Sequence, residues 1–250
     1  MESRASPFDL IVFDFKGTLQ VKKKKIKADK QTKKILKLRR RATNFFESIN
    51  EAGVGPLPTF DDFFAAFLKS KEKFDNEKPD CYSWSEVLDE IVAEFQLPDV
   101  SQYYNQFQDS VPAPLYPGVK ELLQRIQQND IPLVMLRNSN LSRVSMEKTL
   151  QTLDIGQYFK YIVTSGEVGI RKPDKRIFEF CIQKGLPGQA VSSERILMVG
   201  NETEADISGA KSLGWKTVLL CNTESTSNGL ADYDLPSIQE LHDVIFPPKL

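Results

Sequence analysis

Short apolar runs alternate along the chain with longer stretches in which apolar residues recur every three or four positions. The runs are typical of strands covered on both faces of a sheet; they lie at residues 10–13, 133–136, 161–163, 196–199 and 217–220. The longer stretches predict helices at residues 119–128, 143–153, 175–184, 204–213 and 237–245. This alternation predicts an α/β protein with a mainly parallel sheet.

The stretch between the first two runs has a different pattern. Residues 20–115 contain no strong strand signal, and their apolar positions keep helical spacing in three groups, at 35–49, 60–68 and 87–95. Breaks at 53–58 and 78–80 read as loops. We therefore expect a core built from residues 1–19 and 116–250, with an all-helical insertion at 20–115.

Composition narrows the class of protein. The chain has 250 residues, of which 40% are hydrophobic and 27% charged, which is typical of a folded globular protein with a sizeable core. No apolar run approaches the roughly 20 residues of a membrane-spanning helix. Three scattered cysteines without a CxxC motif argue against a disulfide scaffold, and the single histidine, His242, argues against a multi-histidine metal site. We expect a cytoplasmic location, with the nucleus as an alternative.

That alternative comes from a strongly basic segment between Lys22 and Arg41. It holds 12 of the 33 basic residues and one of the 34 acidic ones, so the rest of the chain is acidic. The segment is interpreted either as the solvated face of a helix or as a surface for an anionic partner. Such a partner is an anionic membrane surface, nucleic acid, a nuclear import receptor or an acidic substrate.

Polar side chains follow four of the predicted strands, directly or within a few residues. Ligands of parallel sheets bind where the carboxyl ends of the strands meet. The residues expected at that edge are two carboxylates, three cations and two amides, namely Asp14 and Asp206, Lys16, Arg137 and Lys172, and Asn138 and Asn201. Such a set suits a small phosphorylated or other anionic molecule.

Four motifs in this order resemble those of the haloacid dehalogenase superfamily, most of whose members are phosphohydrolases. They are Asp14-Phe15-Lys16-Gly17-Thr18-Leu19 after the first strand, the segment 115–123, the lysine motif 169–173 followed by Ile177-Phe178, and Val199-Gly200-Asn201 with Asp206 and 209–214. The resemblance covers nearly the whole chain. It implies a Rossmann-like parallel sheet flanked by helices, with an all-helical cap inserted over the site.

The resemblance also implies roles for individual residues. Asp14 stands where the family's nucleophile attacks phosphorus and becomes an aspartyl-phosphate. Lys172 stands at the family's catalytic lysine. The substrate phosphate would be bound by residues of the first three motifs, which are Thr18, Arg137, Asn138 and Lys172.

Three positions depart from the family's pattern, and all three make the site more positive. Lys16 replaces the aspartate that acts as general acid and base, a function worth about 10²–10⁴-fold in rate. Arg137 replaces a serine or threonine. Asn201 replaces an aspartate that helps hold Mg²⁺, so the metal set of Asp14, Asn201 and Asp206 is expected to bind Mg²⁺ weakly or not at all.

Three functions are compatible with this site. In the first, the protein is a divergent phosphohydrolase that binds an anionic ligand, with its cations replacing Mg²⁺. In the second, it is a non-catalytic pseudophosphatase that uses the basic segment to bind an anionic partner. In the third, the protein hydrolyses a carbon–halogen bond through Asp14, as one branch of the superfamily does. This function ranks lowest because the residues that surround the halide in that branch are not recognisable here.

Overall fold

The computed structural model describes residues 6–22, 29–79, 81–107, 112–221 and 229–248. In this part of the chain, six parallel strands form one sheet in the order β3-β2-β1-β4-β5-β6. The strands are β1 (Leu10–Phe13), β2 (Leu133–Arg137), β3 (Tyr161–Thr164), β4 (Ile196–Gly200), β5 (Lys216–Leu220) and β6 (Tyr233–Leu235). The order is that of a doubly wound Rossmann-like sheet, so the predicted fold class is confirmed. The apolar pattern missed only the short, polar edge strand β6.

Helices cover both faces of this sheet and fill the stretch after β1. Those after β1 are α1 (Lys30–Glu51), α2 (Phe60–Glu77) and α3 (Trp84–Glu94). The others are α4 (Val119–Gln127), α5 (Arg143–Thr152), α6 (Ser165–Val168), α7 (Lys175–Gly185), α8 (Gly209–Lys211) and α9 (Leu241–Ile245). Within the described ranges, none of them is long and apolar enough to cross a lipid bilayer.

The continuous apolar runs arise because both faces of the sheet are buried. Ile11 and Phe13 of β1 belong to one hydrophobic cluster, which includes the residues of the helical stretch after β1. Leu10 and Val12 belong to a second cluster, which packs under α7. Since side chains alternate between the faces of a strand, a strand between two clusters needs an apolar residue at every position.

The helices α1–α3 pack around an aromatic cluster, and the start of α3 contacts the loop after β2. The ring centroids of Phe67 and Phe107 are 4.9 Å apart. Asn140, after β2, accepts a hydrogen bond from the Trp84 backbone N–H at 2.8 Å and donates from its side chain to the Tyr82 carbonyl oxygen at 2.7 Å. The division into a core of 1–19 and 116–250 and a cap of 20–115 stays a prediction.

The basic segment is not a single helix face. Helix α1 begins at Lys30, because Asp29 caps its N-terminus: the Asp29 side chain accepts a hydrogen bond from the Thr32 backbone N–H. Residues 23–28 lie outside the described part of the chain. Lys22 lies before them, beside the carboxyl ends of β1 and β4, so it belongs to a different surface from the lysines of α1.

Candidate functional site

A buried lysine joins two carboxylates at the carboxyl edge of the sheet. The central strands β1 and β4 end side by side, which brings Asp14 and Asp206 to the same point. Lys172 Nζ lies 2.7 Å from Asp14 Oδ1 and 2.6 Å from Asp206 Oδ1, and it donates to the Leu136 carbonyl oxygen at 3.1 Å. All three charged side chains are buried, with Asp14 the most accessible at 8%. The cluster is therefore an ion triad with one face open at Asp14.

The charges of this triad depend on one another. Burial alone would lower the pKa of Lys172, but Asp14 and Asp206 outweigh that effect and hold the pKa above its ordinary value. Burial raises the pKa of Asp206 to about 6, although Lys172 acts in the opposite direction. Lys172 therefore carries its positive charge throughout the neutral range, and its charge is shared between two carboxylates.

The turn after β4 directs Asp206 back toward the sheet. Residues Thr203–Ser208 form a π-helical turn, and the Asp206 carboxylate accepts hydrogen bonds from the backbone N–H groups of Asn201 and Glu202, both at 2.9 Å. A Cβ on Gly200 would lie 2.3 Å from the Asp206 carboxyl group, so a glycine is required there. The helix predicted at 204–213 is therefore a π turn followed by the short α8. Such turns are often found at functional sites.

A second chain of contacts runs from Asp14 to the loop after β1. The Thr18 hydroxyl donates to Asp14 Oδ2 at 3.2 Å and lies 3.3 Å from the side-chain amide of Asn201. In the orientation that satisfies both of its groups, the Asn201 amide nitrogen donates to the Lys16 carbonyl oxygen at 3.1 Å, and its oxygen accepts from Lys22 Nζ at 2.7 Å. The side chain of Lys16 itself is exposed.

Arg137, the last residue of β2, and Asn138, which follows it, contact the surroundings of the triad. The Asn138 side chain forms two hydrogen bonds with the backbone of Lys172, so it positions that lysine. The guanidinium of Arg137 lies over the ring of Phe15, 5.3 Å from its centroid, with Nη1 2.9 Å from Met146 Sδ. The phosphate-binding role of Asn138 and Arg137 stays a prediction.

The amino-acid sequence of the chain matches a known family. A sequence model described as haloacid dehalogenase-like hydrolase matches residues 8–214, which is most of the chain. The chain belongs to this family. For this haloacid dehalogenase-like hydrolase, the assignment of Asp14 and Lys172 to the positions of the family's nucleophile and lysine stays a prediction.

Curated relatives of this haloacid dehalogenase-like chain include phosphatases. It is 33% identical over 133 residues to the pyrimidine 5'-nucleotidase YjjG of Escherichia coli, which covers 52% of this chain and 56% of that relative. It is also 33% identical over 102 residues to a glyceraldehyde 3-phosphate phosphatase of Pyrococcus abyssi, covering 41% of this chain and 40% of that one. The matches span about half the length of these relatives. Their names support a phosphatase-like function in this family.

A solved structure agrees on the fold. A 2-haloacid dehalogenase from Pseudomonas syringae pv. Tomato DC3000 superposes with a TM-score of 0.60, covering 95% of this chain and 97% of that one. The sequences are 17% identical, so the similarity concerns the fold alone.

The residues that the resemblance assigns to Mg²⁺ do not fit a divalent cation. Mg²⁺ prefers carboxylate oxygens and water in octahedral geometry. Asp14 and Asp206 each give an oxygen to Lys172, and Asn201 is neutral, with its oxygen accepting from Lys22. Among the residues that the structure describes, no three His, Cys, Asp or Glu side chains converge in a cluster able to hold a metal ion. This donor set favours internal cations over Mg²⁺.

Sequence reasoning missed two residues of this region. Lys22 was hidden within a run of cations, and nothing in the pattern separates it from its neighbours. Glu202, which the sequence pattern does not single out, pairs with Lys22 at 3.1 Å. Both contacts join positions about 180 residues apart, so no local signal could reveal them.

Proposed function

We propose that this protein is a divergent phosphohydrolase-like protein that binds a small phosphorylated or other anionic molecule beside Asp14, without ordinary Mg²⁺-dependent hydrolysis. The observation that carries the proposal is that both side-chain amide groups of Asn201 already have hydrogen-bond partners within the protein. Its amide nitrogen donates to the Lys16 carbonyl oxygen, and its oxygen faces an ammonium, where a metal ligand would have to face a metal. The helical segment 20–115 is proposed as the cap over this site.

The chemistry of position 16 supports the same conclusion. In the family's reaction, an Asp14 oxygen would form a bond to phosphorus while the bond to the leaving oxygen breaks, and that oxygen needs a proton. A lysine ammonium, with an ordinary pKa of about 10.4, gives up a proton far less readily than a carboxyl, and while it stays protonated it has no lone pair to accept one. Lys16 is therefore a poor replacement for the aspartate, both in protonating the leaving oxygen and in activating the water that would release phosphate from Asp14.

The anion would be bound by groups that already surround the open face of Asp14. Lys172 and Thr18 both contact the Asp14 carboxylate, and the Thr18 hydroxyl can turn its hydrogen bond toward an oxygen of the ligand. Asn138 holds the backbone of Lys172, and Arg137 supplies a further positive charge at the end of β2. The relatives that are named as phosphatases act on small phosphorylated molecules, which fits this ligand class.

Titration of inorganic phosphate into the protein by calorimetry tests the binding site. The wild type should bind phosphate equally well with Mg²⁺ and with EDTA. Asp14→Asn should bind it at least about tenfold more tightly, because a carboxylate next to an anion repels it by more than about 1.4 kcal/mol. The matched control Asp130→Asn removes the charge of an exposed carboxylate and should change nothing.

Hydrolysis of p-nitrophenyl phosphate tests the absence of ordinary turnover. We expect no rate that depends on both Mg²⁺ and Asp14. A Mg²⁺-dependent rate that disappears in Asp14→Asn would show a normal phosphatase and contradict the proposal. An affinity for phosphate that is absent, or unchanged by Asp14→Asn, would contradict binding at this site.

A second candidate function concerns the exposed face of α1. Its inward residues Leu38 and Phe45 are buried, whereas Lys34 and Arg39 are exposed and Leu36, among these cations, is 60% exposed. An apolar side chain surrounded by cations suits an anionic membrane surface better than nucleic acid, which has no apolar surface to receive it.

Co-sedimentation with vesicles tests this second function. Binding to phosphatidylserine vesicles, and not to phosphatidylcholine vesicles, should fall with salt and with Leu36→Ser, while Asp14→Asn should leave it unchanged. Binding to duplex DNA that is insensitive to Leu36→Ser would instead favour a nucleic-acid partner. Binding to neither would leave the segment as a solvated helix face.

A further inference from the structure

Lys22 approaches the candidate site from the loop after β1. Its ammonium nitrogen lies 2.7 Å from the Asn201 amide oxygen and 3.1 Å from Glu202 Oε1. The side chain is 34% exposed, so it is partly withdrawn from water. Asn201, its buried partner, also contacts Thr18, which donates to Asp14. Lys22 is thus linked to the proposed nucleophile through two side chains.

The position of Lys22 is built into the backbone. Gly17 has φ +97°, and a Cβ there would lie 2.7 Å from Lys22 Cε and 2.8 Å from the Asn201 amide. The Gly17 N–H donates to the Gln20 carbonyl oxygen at 2.7 Å, and the Val21 N–H donates to the Pro114 carbonyl oxygen at 2.9 Å. These bonds fix the turn on one side of Lys22. The lysine stem crosses Gly17 because that residue has no side chain.

We propose that Lys22 is the internal cation of the anion site, and that it excludes a divalent metal from the Asn201 end of that site. This inference rests on the proposed function. The charge of Lys172 is already shared between Asp14 and Asp206, so an incoming phosphate dianion needs positive charge from another group. Lys22 supplies it without loading a metal from solution.

The hydrogen-bonding capacity of the ammonium fits this role. A lysine ammonium has three N–H donors. Within the described part of the chain, Lys22 directs two of them at Asn201 and Glu202, which leaves one for an oxygen of the ligand. A simple surface ion pair with Glu202 would contribute little, and it would require no contact with the buried amide of Asn201.

Anion binding provides the first arm of the test. Inorganic phosphate is titrated in EDTA into the wild type, Lys22→Met, Lys22→Arg and Lys148→Met, the last being a matched control on the exposed face of α5. Lys22→Met should weaken binding about tenfold, and Lys22→Arg should keep most of the affinity, while the control matches the wild type. Equal affinity of Lys22→Met and wild type would overturn the proposal.

Metal binding provides the second arm and has a readout that is independent of activity. Mn²⁺ bound by each protein is measured by electron paramagnetic resonance, with thermal unfolding of each variant recorded to show that it is folded. The wild type and Asn201→Asp should bind no Mn²⁺, whereas Lys22→Met combined with Asn201→Asp should bind one ion. Tight Mn²⁺ binding by Asn201→Asp alone, or none by the double variant, would overturn the proposal.

The two arms separate this inference from the proposed function. If no variant binds phosphate, the proposed anion site is wrong, and the claim that Lys22 supplies its positive charge falls with it. The Mn²⁺ measurements then still decide whether Lys22 occupies the metal position. If the wild type binds phosphate and Lys22→Met binds it with the same affinity, the anion site stands and the role of Lys22 is refuted.

Discussion

Asn138 and Lys172 exchange two hydrogen bonds between the ends of two polar loops. Asn138 Nδ2 donates to the Lys172 carbonyl oxygen at 3.0 Å, and the Lys172 backbone N–H donates to Asn138 Oδ1 at 2.9 Å. The side chain of one residue thereby fixes the backbone of the other. Asn138 therefore controls where the ammonium of Lys172 lies, 2.7 Å from Asp14.

Replacing Asn138 by alanine should loosen this lysine. Two hydrogen bonds to the backbone are lost, so we expect the free energy of unfolding to fall by about 1–3 kcal/mol. Phosphate affinity should fall with it, because Lys172 no longer keeps one position. Urea unfolding and phosphate titration measure the two effects. The control Asn76→Ala lies on the exposed side of α2; equal values for the two variants would refute the positioning role.

Lys172→Met should leave two buried carboxylates facing each other. Removing one partner from a buried ion cluster costs about 3–5 kcal/mol of stability at neutral pH. Burial and the charge of Asp14 raise the pKa of Asp206, and without the opposing lysine that pKa lies further above its unfolded value. The folded variant then binds more protons than its unfolded form, so its stability increases as pH falls.

Urea unfolding at several pH values tests this pH dependence. The difference in free energy of unfolding between wild type and Lys172→Met should become smaller from pH 7 to pH 5. The double variant Lys172→Met with Asp206→Asn should recover part of the loss at pH 7, because it removes one of the two charges. A gap that widens toward pH 5 would show that the carboxylates are not the cause.

Gly166 allows the helical segment after β1 to approach the sheet. A Cβ at this position would lie 2.7 Å from the Tyr82 carbonyl oxygen and 2.9 Å from that of Ser139. Both are backbone atoms, which cannot move aside as the end of a flexible side chain can. Gly166→Ala should therefore cost about 1–3 kcal/mol and loosen the contact at Tyr82. Faster amide exchange around residues 82–84 would report it.

Gly156 offers the matched control. A Cβ there meets its nearest neighbour at 3.6 Å, which is ordinary contact, so Gly156→Ala should leave both stability and exchange unchanged. If Gly166→Ala behaves in the same way, the backbone of the helical segment moves more freely than these distances imply.

Asp232 lies directly before β6 and joins that loop to β5. Its carboxylate accepts hydrogen bonds from the Thr217 N–H and hydroxyl, both at 2.8 Å, and pairs with Lys211 at 2.7 Å. Burial opposes ionisation, but these partners outweigh it and lower the pKa of Asp232. A carboxyl with a lowered folded pKa contributes stability at neutral pH that is lost on acidification.

Asp232→Asn should therefore be less stable than wild type by about 1–2 kcal/mol at pH 7. The difference should shrink as pH falls below about 4, where the carboxyl of the unfolded chain takes up its proton. Urea unfolding at pH 7 and at pH 3.5 measures both values, with Asp130→Asn as the exposed control. A difference that is constant with pH would exclude the ionised carboxylate as the source.

Much of the fold was predictable because its signals are local. The run at Leu10–Phe13 is apolar at every position since both faces of β1 are covered, and α2 keeps helical spacing because one stripe of it is buried. The three-residue β6 carries no such signal, and its pairing depends on β5. The turn at Thr203–Ser208 had helical periodicity, but the bonds of Asp206 to the strand end made it a π turn.

The candidate site divides in the same way. The sequence by itself determined that Asp14, Lys172, Asn201 and Asp206 follow parallel strands, which predicts their shared edge. Only the tertiary structure decided which of them touch, that Asn138 acts through the Lys172 backbone, and that Lys22 reaches Asn201 across about 180 residues. Periodicity encodes which residues are buried, whereas a hydrogen bond depends on distances of a few tenths of an ångström between groups that only the folded chain brings together.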